Sequence, residues 1–170
     1  MANLFKMTLS VAVVVFWSVP ALADCAEPPA PGVDWRRCVF QQRDFTSVDL
    51  TNARLRDGRF IRGTFTGASL VNADLRGAKF IAANMQKADF TNARLSGADF
   101  TKADLRDAVL KNTNLSNTQF PETDLRGADL SGASLRQTAF RDADLSGATW
   151  IDGKSKCGEN SIGQCRFTRN

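Results

Sequence analysis

From Phe40 to Trp150 every fifth residue is large and apolar, in 23 consecutive positions with no insertion. The series runs Phe40, Phe45, Leu50, Leu55 and Phe60 at one end and Phe140, Leu145 and Trp150 at the other. Two residues before each of these the position is nearly always small. Ala68, Ala73, Ala78, Ala83, Ala88, Ala93, Ala98, Ala103 and Ala108 form an unbroken run, and Thr113, Thr118 and Thr123 are mild departures. A period of five fits neither regular element. On an α-helix it would scatter the large residues around the circumference, and a plain strand needs a period of two. A chain that turns a corner every five residues solves the problem, because each large side chain then points to a common axis and each small one fills the corner beside it. Four such sides close a coil of 20 residues. Sorted at that period, Phe40, Phe60, Phe80, Phe100, Phe120 and Phe140 fall on one side, and Leu55, Leu75, Leu95, Leu115 and Leu135 fall on another. Like residues in successive layers are what an in-register parallel solenoid requires. The expected fold is all-β, a single parallel β-helix over residues 38–152. It has almost six coils and is roughly 28 Å long at the spacing of paired strands.

The repeat resembles that of the pentapeptide-repeat family, whose signature is A-(D/N)-L-x-x. Ala73-Asp74-Leu75-Arg76-Gly77, Ala98-Asp99-Phe100-Thr101-Lys102 and Ala128-Asp129-Leu130-Ser131-Gly132 reproduce it closely. The resemblance implies a right-handed quadrilateral β-helix. Arg43 and Cys38 depart from it, each in a slot meant for a small residue, so the first coil is expected to be irregular or to serve as a cap. Some members of the family resemble duplex DNA and inhibit topoisomerases, and a polysaccharide-acting enzyme is an alternative by analogy with other β-helices. The first of these needs a strongly acidic cytosolic rod.

The flanks speak against that. Residues 1–23 read as a signal peptide: Lys6 supplies the positive start, Met7 to Trp17 is an apolar run, and Ala21-Leu22-Ala23 fits cleavage after Ala23. Without Lys6 the chain carries 21 basic and 18 acidic residues, net +3, too slight an excess to imply nucleic-acid binding. An exported chain, periplasmic or secreted, gives its four cysteines a meaning. Cys25, Cys38, Cys157 and Cys165 suggest two disulfides with three possible connectivities. Local pairing is favoured, because a bridge between the pairs would have to span the whole solenoid. The four thiolates lack CxxC spacing, so a metal site is not expected. Residues 24–37 are expected to cap the N-terminal end and residues 153–170 the C-terminal end, with Trp150 as a plug in the last coil. No stable membrane insertion is expected once the leader is removed.

Chemistry is poorly supplied. The chain has no His and no Tyr, which removes the commonest general base near neutral pH and the commonest metal ligand. Nucleophile elbows, phosphate-binding loops and dinucleotide fingerprints are missing, so no catalytic residue and no cofactor is expected. What remains is surface. The Leu side carries Arg54, Arg56, Arg76, Arg94 and Arg136 against Asp57 and Asp74. The side of Phe45, Phe65, Met85, Leu105, Leu125 and Leu145 carries Asp44, Asp104, Asp107, Asp124 and Asp144 against Lys87, Arg106 and Arg126. The stacked Asp104, Asp124 and Asp144 raise a cation site, which Arg106 and Arg126 should make unnecessary. Asn52, Asn72, Asn92 and Asn112 recur at one outward slot and are expected to hydrogen-bond to one another along the axis. The functional expectation is a non-enzymatic scaffold whose flat charged faces meet a protein or an anionic envelope component, with the basic face the candidate site.

Overall fold

The structure, a computed structural model, describes residues 24–167; the expected leader and its cleavage point after Ala23 lie outside them. Each pentad folds as one corner and one bridging residue. In Leu50-Thr51-Asn52-Ala53 the Ala53 N–H donates to the Leu50 carbonyl at 3.0 Å. Asn52 sits at φ 60°, the left-handed third position of a type II turn. The same left-handed residue recurs at every fifth position from Arg37 to Gly147. Glycine fills it at six positions, Gly77 and Gly97 among them, and elsewhere Asn, Asp, a longer polar residue, Ser47 or Ala82 accepts the strain.

The remaining backbone groups pair between coils. Leu55 N–H donates to Asp74 O at 2.8 Å and Asp57 N–H to Arg76 O at 2.9 Å, while Arg59 N–H donates the opposite way, to Cys38 O at 2.8 Å. From Asp34↔Arg54 to Asp129↔Thr149 the bridges are parallel and join residues 20 apart, which is the four-sided coil. Among the described residues the N–H of the residue after the axial one has no backbone partner, and at Pro121 that N–H is missing altogether. Where the residue before the axial one is Asp or Asn, its side chain takes that hydrogen: Thr51 N–H donates to Asp49 Oδ1 at 2.9 Å, Thr101 N–H to Asp99 Oδ1 at 2.9 Å and Ser116 N–H to Asn114 Oδ1 at 3.0 Å. The Asp/Asn of the repeat is therefore a backbone substitute, in the manner of an Asx turn.

The axis is dry. Leu55, Leu75, Leu95 and Leu115 are fully buried, and each contributes about 1.5–3 kcal/mol on burial. Phe60, Phe80, Phe100, Phe120 and Phe140 stack with centroids 5.0–5.3 Å apart and planes within 11°. At the corners Ala leaves turn bonds of 2.8–3.1 Å, whereas at Thr113 and Thr123 the bond lengthens to 3.4 Å. The threonine hydroxyls are not orphaned: Thr118 donates to Leu95 O and Thr123 to Phe100 O, both at 2.8 Å.

Two expectations change. Regular pairing starts not at residue 38 but at Gly32, whose N–H donates to Thr51 O at 2.8 Å; Trp35 N–H then donates to Arg54 O at 2.8 Å and Arg37 N–H to Arg56 O at 2.9 Å. Trp35 is the first axial residue of the Leu column, 1% exposed, with its ring 4.8 Å from Phe40 and 5.4 Å from Phe45. The second change concerns Asn52, Asn72, Asn92 and Asn112. Among the described residues no side-chain bond joins them; at φ 55–60° they are the left-handed corner residues, a conformation Asn tolerates better than most.

The cysteines pair locally, Cys25 with Cys38 and Cys157 with Cys165. Cys38 is buried in the small-residue slot, so the disulfide fills that corner. At the other end the chain reverses. Asp144↔Ile162 and Thr149↔Lys156 are antiparallel, and Leu145, Gly147 and Trp150 donate to the carbonyls of Ser161, Cys157 and Ser155 at 2.8–3.0 Å. Trp150 packs between Phe140 and Phe167, with centroids at 6.2 and 6.5 Å. Among the described residues only the first two coils extend beyond a single bridge: β1 (Val39–Gln41) pairs in parallel with β2 (Arg59–Ile61), Val39 opposite Arg59 and Phe40 opposite Phe60.

Candidate functional site

Outward side chains of the solenoid line up in columns because the register between coils is constant, so charge accumulates by side. On the Leu side the residues before the axis read Asp34, Arg54, Asp74, Arg94, Asn114 and Ser134. Those after it read Arg36, Arg56, Arg76, Ser96, Ser116 and Arg136. Arg76 is taken by Asp74 through two hydrogen bonds, which hold the Asp74 carboxyl below its ordinary value and raise the guanidinium. Arg54 meets Asp34 only at 3.7 Å and Arg56 meets Asp57 at 3.5 Å, both with side chains more than half exposed. Among the described residues Arg94 and Arg136 have no carboxylate in ion-pair range. All five expected residues therefore share one face; Arg94 and Arg136 have no carboxylate partner among the described residues, and Arg54 and Arg56 hold theirs only loosely.

Arg36 and Arg37 extend the face to the N-terminal end, Arg36 bound to Asp34 at 2.6 Å. Reading the repeat from Phe40 missed them. The signal was Val33-Asp34-Trp35, which has the small, acidic, large order of a pentad.

The Phe45 side is arranged differently. Arg106 Nη2 lies 2.7 Å from Asp104 Oδ2 and its Nε 3.7 Å from Asp124, while Arg126 Nη2 lies 2.6 Å from Asp124 and its Nε 3.8 Å from Asp144. The column is an alternating zipper that neutralises itself. Burial pushes the Asp104 carboxyl up, but hydrogen bonds from Arg106 and Gln86 more than offset this and leave it lowered. Both guanidinium groups are raised, first by their bonds to Asp104 and Asp124. Among the described residues no group of three or more acidic or thiol ligands is placed to hold a metal ion. A depression of about 450 Å³ among Lys111, Asn112, Ser131, Ile151 and Asp152 is open and shallow. Asp152 there is held down to about 2 by Ser155 and two backbone N–H groups.

The family model described as a pentapeptide repeat region matches residues 83–167, and that for pentapeptide repeats (8 copies) matches residues 59–97. No curated protein sequence matches the chain. Similar solved structures include HetL, a pentapeptide repeat protein involved in heterocyst differentiation regulation in Nostoc sp. strain PCC 7120. It is 27% identical over 72% of this chain and 68% of its own, with a TM-score of 0.34. A second pentapeptide repeat protein of Nostoc PCC 7120 is 28% identical over 48% of this chain and 67% of its own, with a TM-score of 0.47. A third, from the Arabidopsis thaliana thylakoid lumen, is 29% identical over 65% and 70%, with a TM-score of 0.34.

Proposed function

Because this chain belongs to the pentapeptide-repeat family, in which residues 83–167 match the family model, we propose that it is a non-enzymatic interaction scaffold of the periplasm or cell exterior. Its Leu side docks an anionic partner, an acidic protein face or a charged envelope polymer. One observation carries this reading: Arg54 and Arg56 have only single loose contacts and Arg94 and Arg136 none among the described residues, whereas Arg106 and Arg126 on the Phe45 side each hold a carboxylate of their own coil at 2.6–2.7 Å and reach one of the next coil at 3.7–3.8 Å. Exposed guanidinium groups on a rigid backbone offer forked donors to carboxylate, phosphate or sulfate at little entropic cost. The two disulfides and the expected leader support the compartment. An axis filled with Phe and Leu, and an open depression where a cleft would be needed, support the absence of catalysis.

The test is retention on immobilised acidic polymer and on envelope fractions at physiological salt. The combined Arg54→Glu, Arg94→Glu, Arg136→Glu variant should lose retention at least tenfold, while Arg106→Gln, Arg126→Gln should retain it. Equal retention of all three proteins would reject the Leu side as the docking face. New reducing ends released from envelope glycans would reject the non-enzymatic reading.

A further inference from the structure

The pairing between coils follows one pattern throughout the solenoid, and this shows what the first coil leaves unused. Within the coil, the residue before the axis donates its N–H toward the preceding coil, as Arg59 does to Cys38 O and Lys79 to Gly58 O, both within 2.9 Å. Its carbonyl accepts from the preceding coil too, as Lys79 O does from Phe60 at 2.7 Å, and so does the carbonyl after the axis, as Ile61 O does from Gln42 at 3.0 Å. By the same geometry Val39 presents an N–H and a C=O, and Gln41 a C=O, to a side on which no coil lies among the described residues. Strand β1 has one neighbour, β2, and its outer edge has no partner among the described residues.

On the other three sides the residue at Val39's position is Asp34, Asp44 or Asp49, and each carboxylate turns back to cap its own corner. Charge at an edge is the usual guard against strand addition. The β1 side lacks it: Val39-Phe40-Gln41-Gln42 is uncharged, and Val39 is β-branched and 57% exposed. The apolar axis behind it is closed, with Trp35 at 1% and Phe40 at 9%, so the edge offers backbone rather than an open core. The rim is basic. Arg37 precedes the strand, Arg43 follows it, and Arg59 and Arg62 lie beneath Val39 and Gln42, all exposed and none in an ion pair among the described residues. Four cations around an uncharged edge disfavour a second copy of this chain, which would bring the same four, and favour an extended acidic segment.

We propose that the outer edge of β1 is a strand-docking site for an extended acidic peptide, which adds to the coil through Val39 and Gln41 and places carboxylates against Arg37, Arg43, Arg59 and Arg62. The site borders the Leu-side face at Arg37 and shares none of Arg54, Arg56, Arg94 and Arg136 with it. Backbone pairing gives the affinity, and the basic rim selects the sign of the partner.

The test uses the purified protein and a fluorescein-labelled peptide, Glu-Glu-Val-Thr-Val-Glu-Glu, followed by anisotropy. Val39→Pro deletes the outward N–H at a position where proline is tolerated, and Val39→Asp restores the guard present on the other sides. Each should weaken binding at least tenfold with the melting temperature essentially unchanged. An N-methylated peptide of identical charge should bind at least tenfold more weakly than the parent. Arg54→Glu, Arg94→Glu should leave the affinity within twofold, which distinguishes this edge from the Leu-side face. Unchanged affinity in Val39→Asp, equal binding of the N-methylated peptide, or a β1-dependent dimer in place of peptide binding would each overturn the proposal.

Discussion

The middle of the solenoid and its first coil obey the repeat to different degrees. Between Ala68 and Ala108 the corner slot is always Ala, the turn bonds stay within 2.8–3.1 Å, and each coil pairs with one above and one below. In the first coil the corner slots hold Val33, Cys38, Arg43 and Val48. Among the described residues no backbone bond closes the corner from Phe40 to Arg43, and the Arg43 side chain points to solvent. The pentad rule is thus enforced by neighbours. Where neighbours exist on both sides, the corner is small and the axial residue large; where no coil precedes among the described residues, the Cys25–Cys38 disulfide and Trp35 close the end. This is the behaviour expected of a chain whose stability is a sum over adjacent units.

The contrast can be broken most forcefully at the axis. Leu95→Ala, in the middle, should destabilise by about 2–5 kcal/mol, because the layers above and below prevent collapse onto the cavity. Val39→Ala, at the open edge, should stay within about 0.5 kcal/mol. Thermal or urea unfolding of the two variants side by side measures the ratio, and equal losses would erase the distinction.

Removing the Cys25–Cys38 bridge as Cys25→Ser, Cys38→Ala should destabilise by about 2–4 kcal/mol. Alanine at position 38 supplies the residue that the middle coils use, so the loss reflects the tether and not the corner. Hydrogen exchange should then quicken at Trp35 to Arg37 and leave Ala83 to Ala103 protected.

A smaller effect follows from the side-chain cap of the pentad. Asp99→Ala leaves the Thr101 N–H without its partner and should cost about 1 kcal/mol in the middle of the rod. Asn at the same position should restore most of it, since Asn84 and Asn114 do the same work for Gln86 and Ser116.

The smallest effect is with pH. The carboxyls of Asp74, Asp104 and Asp129 are all held below the ordinary value in the folded chain. A depressed folded value means the stabilisation is complete above the unfolded value near 3.9 and is lost as pH falls through the lower folded ones. Melting temperature should be flat from about pH 5 upward and decline below about pH 4, with Asp104→Asn shallower than the parent.

The fold was legible in the sequence because the spacing of bulk is itself the geometry: Phe60, Phe80 and Phe100 can stack only if the coil has 20 residues. Local disulfides followed from the same rod, and so did the neutralisation of Asp104 and Asp124, since Arg106 and Arg126 stand two residues away. The Asp of the repeat was legible as a pattern but not as a cause, because its bond to the N–H two residues on depends on the handed turn that the structure supplies. The Asn column was misread for a related reason. Its members occupy a backbone conformation, which composition does not display. Trp35 was lost to two departures in a row, Cys38 and Arg43, which interrupt the small-residue rule in the first coil.

The solenoid is a stack of parallel layers offset by 20 residues with the large side chains inside. Proton–proton contacts in solution between backbone groups of Asp89 and Val109, and of Asp104 and Asp124, read that offset directly. Strong cross-peaks are expected between these residues and between the ring protons of Phe80 and Phe100. Cross-peaks connecting residues 15 or 18 apart instead, or Phe rings in contact with water, would contradict that stack.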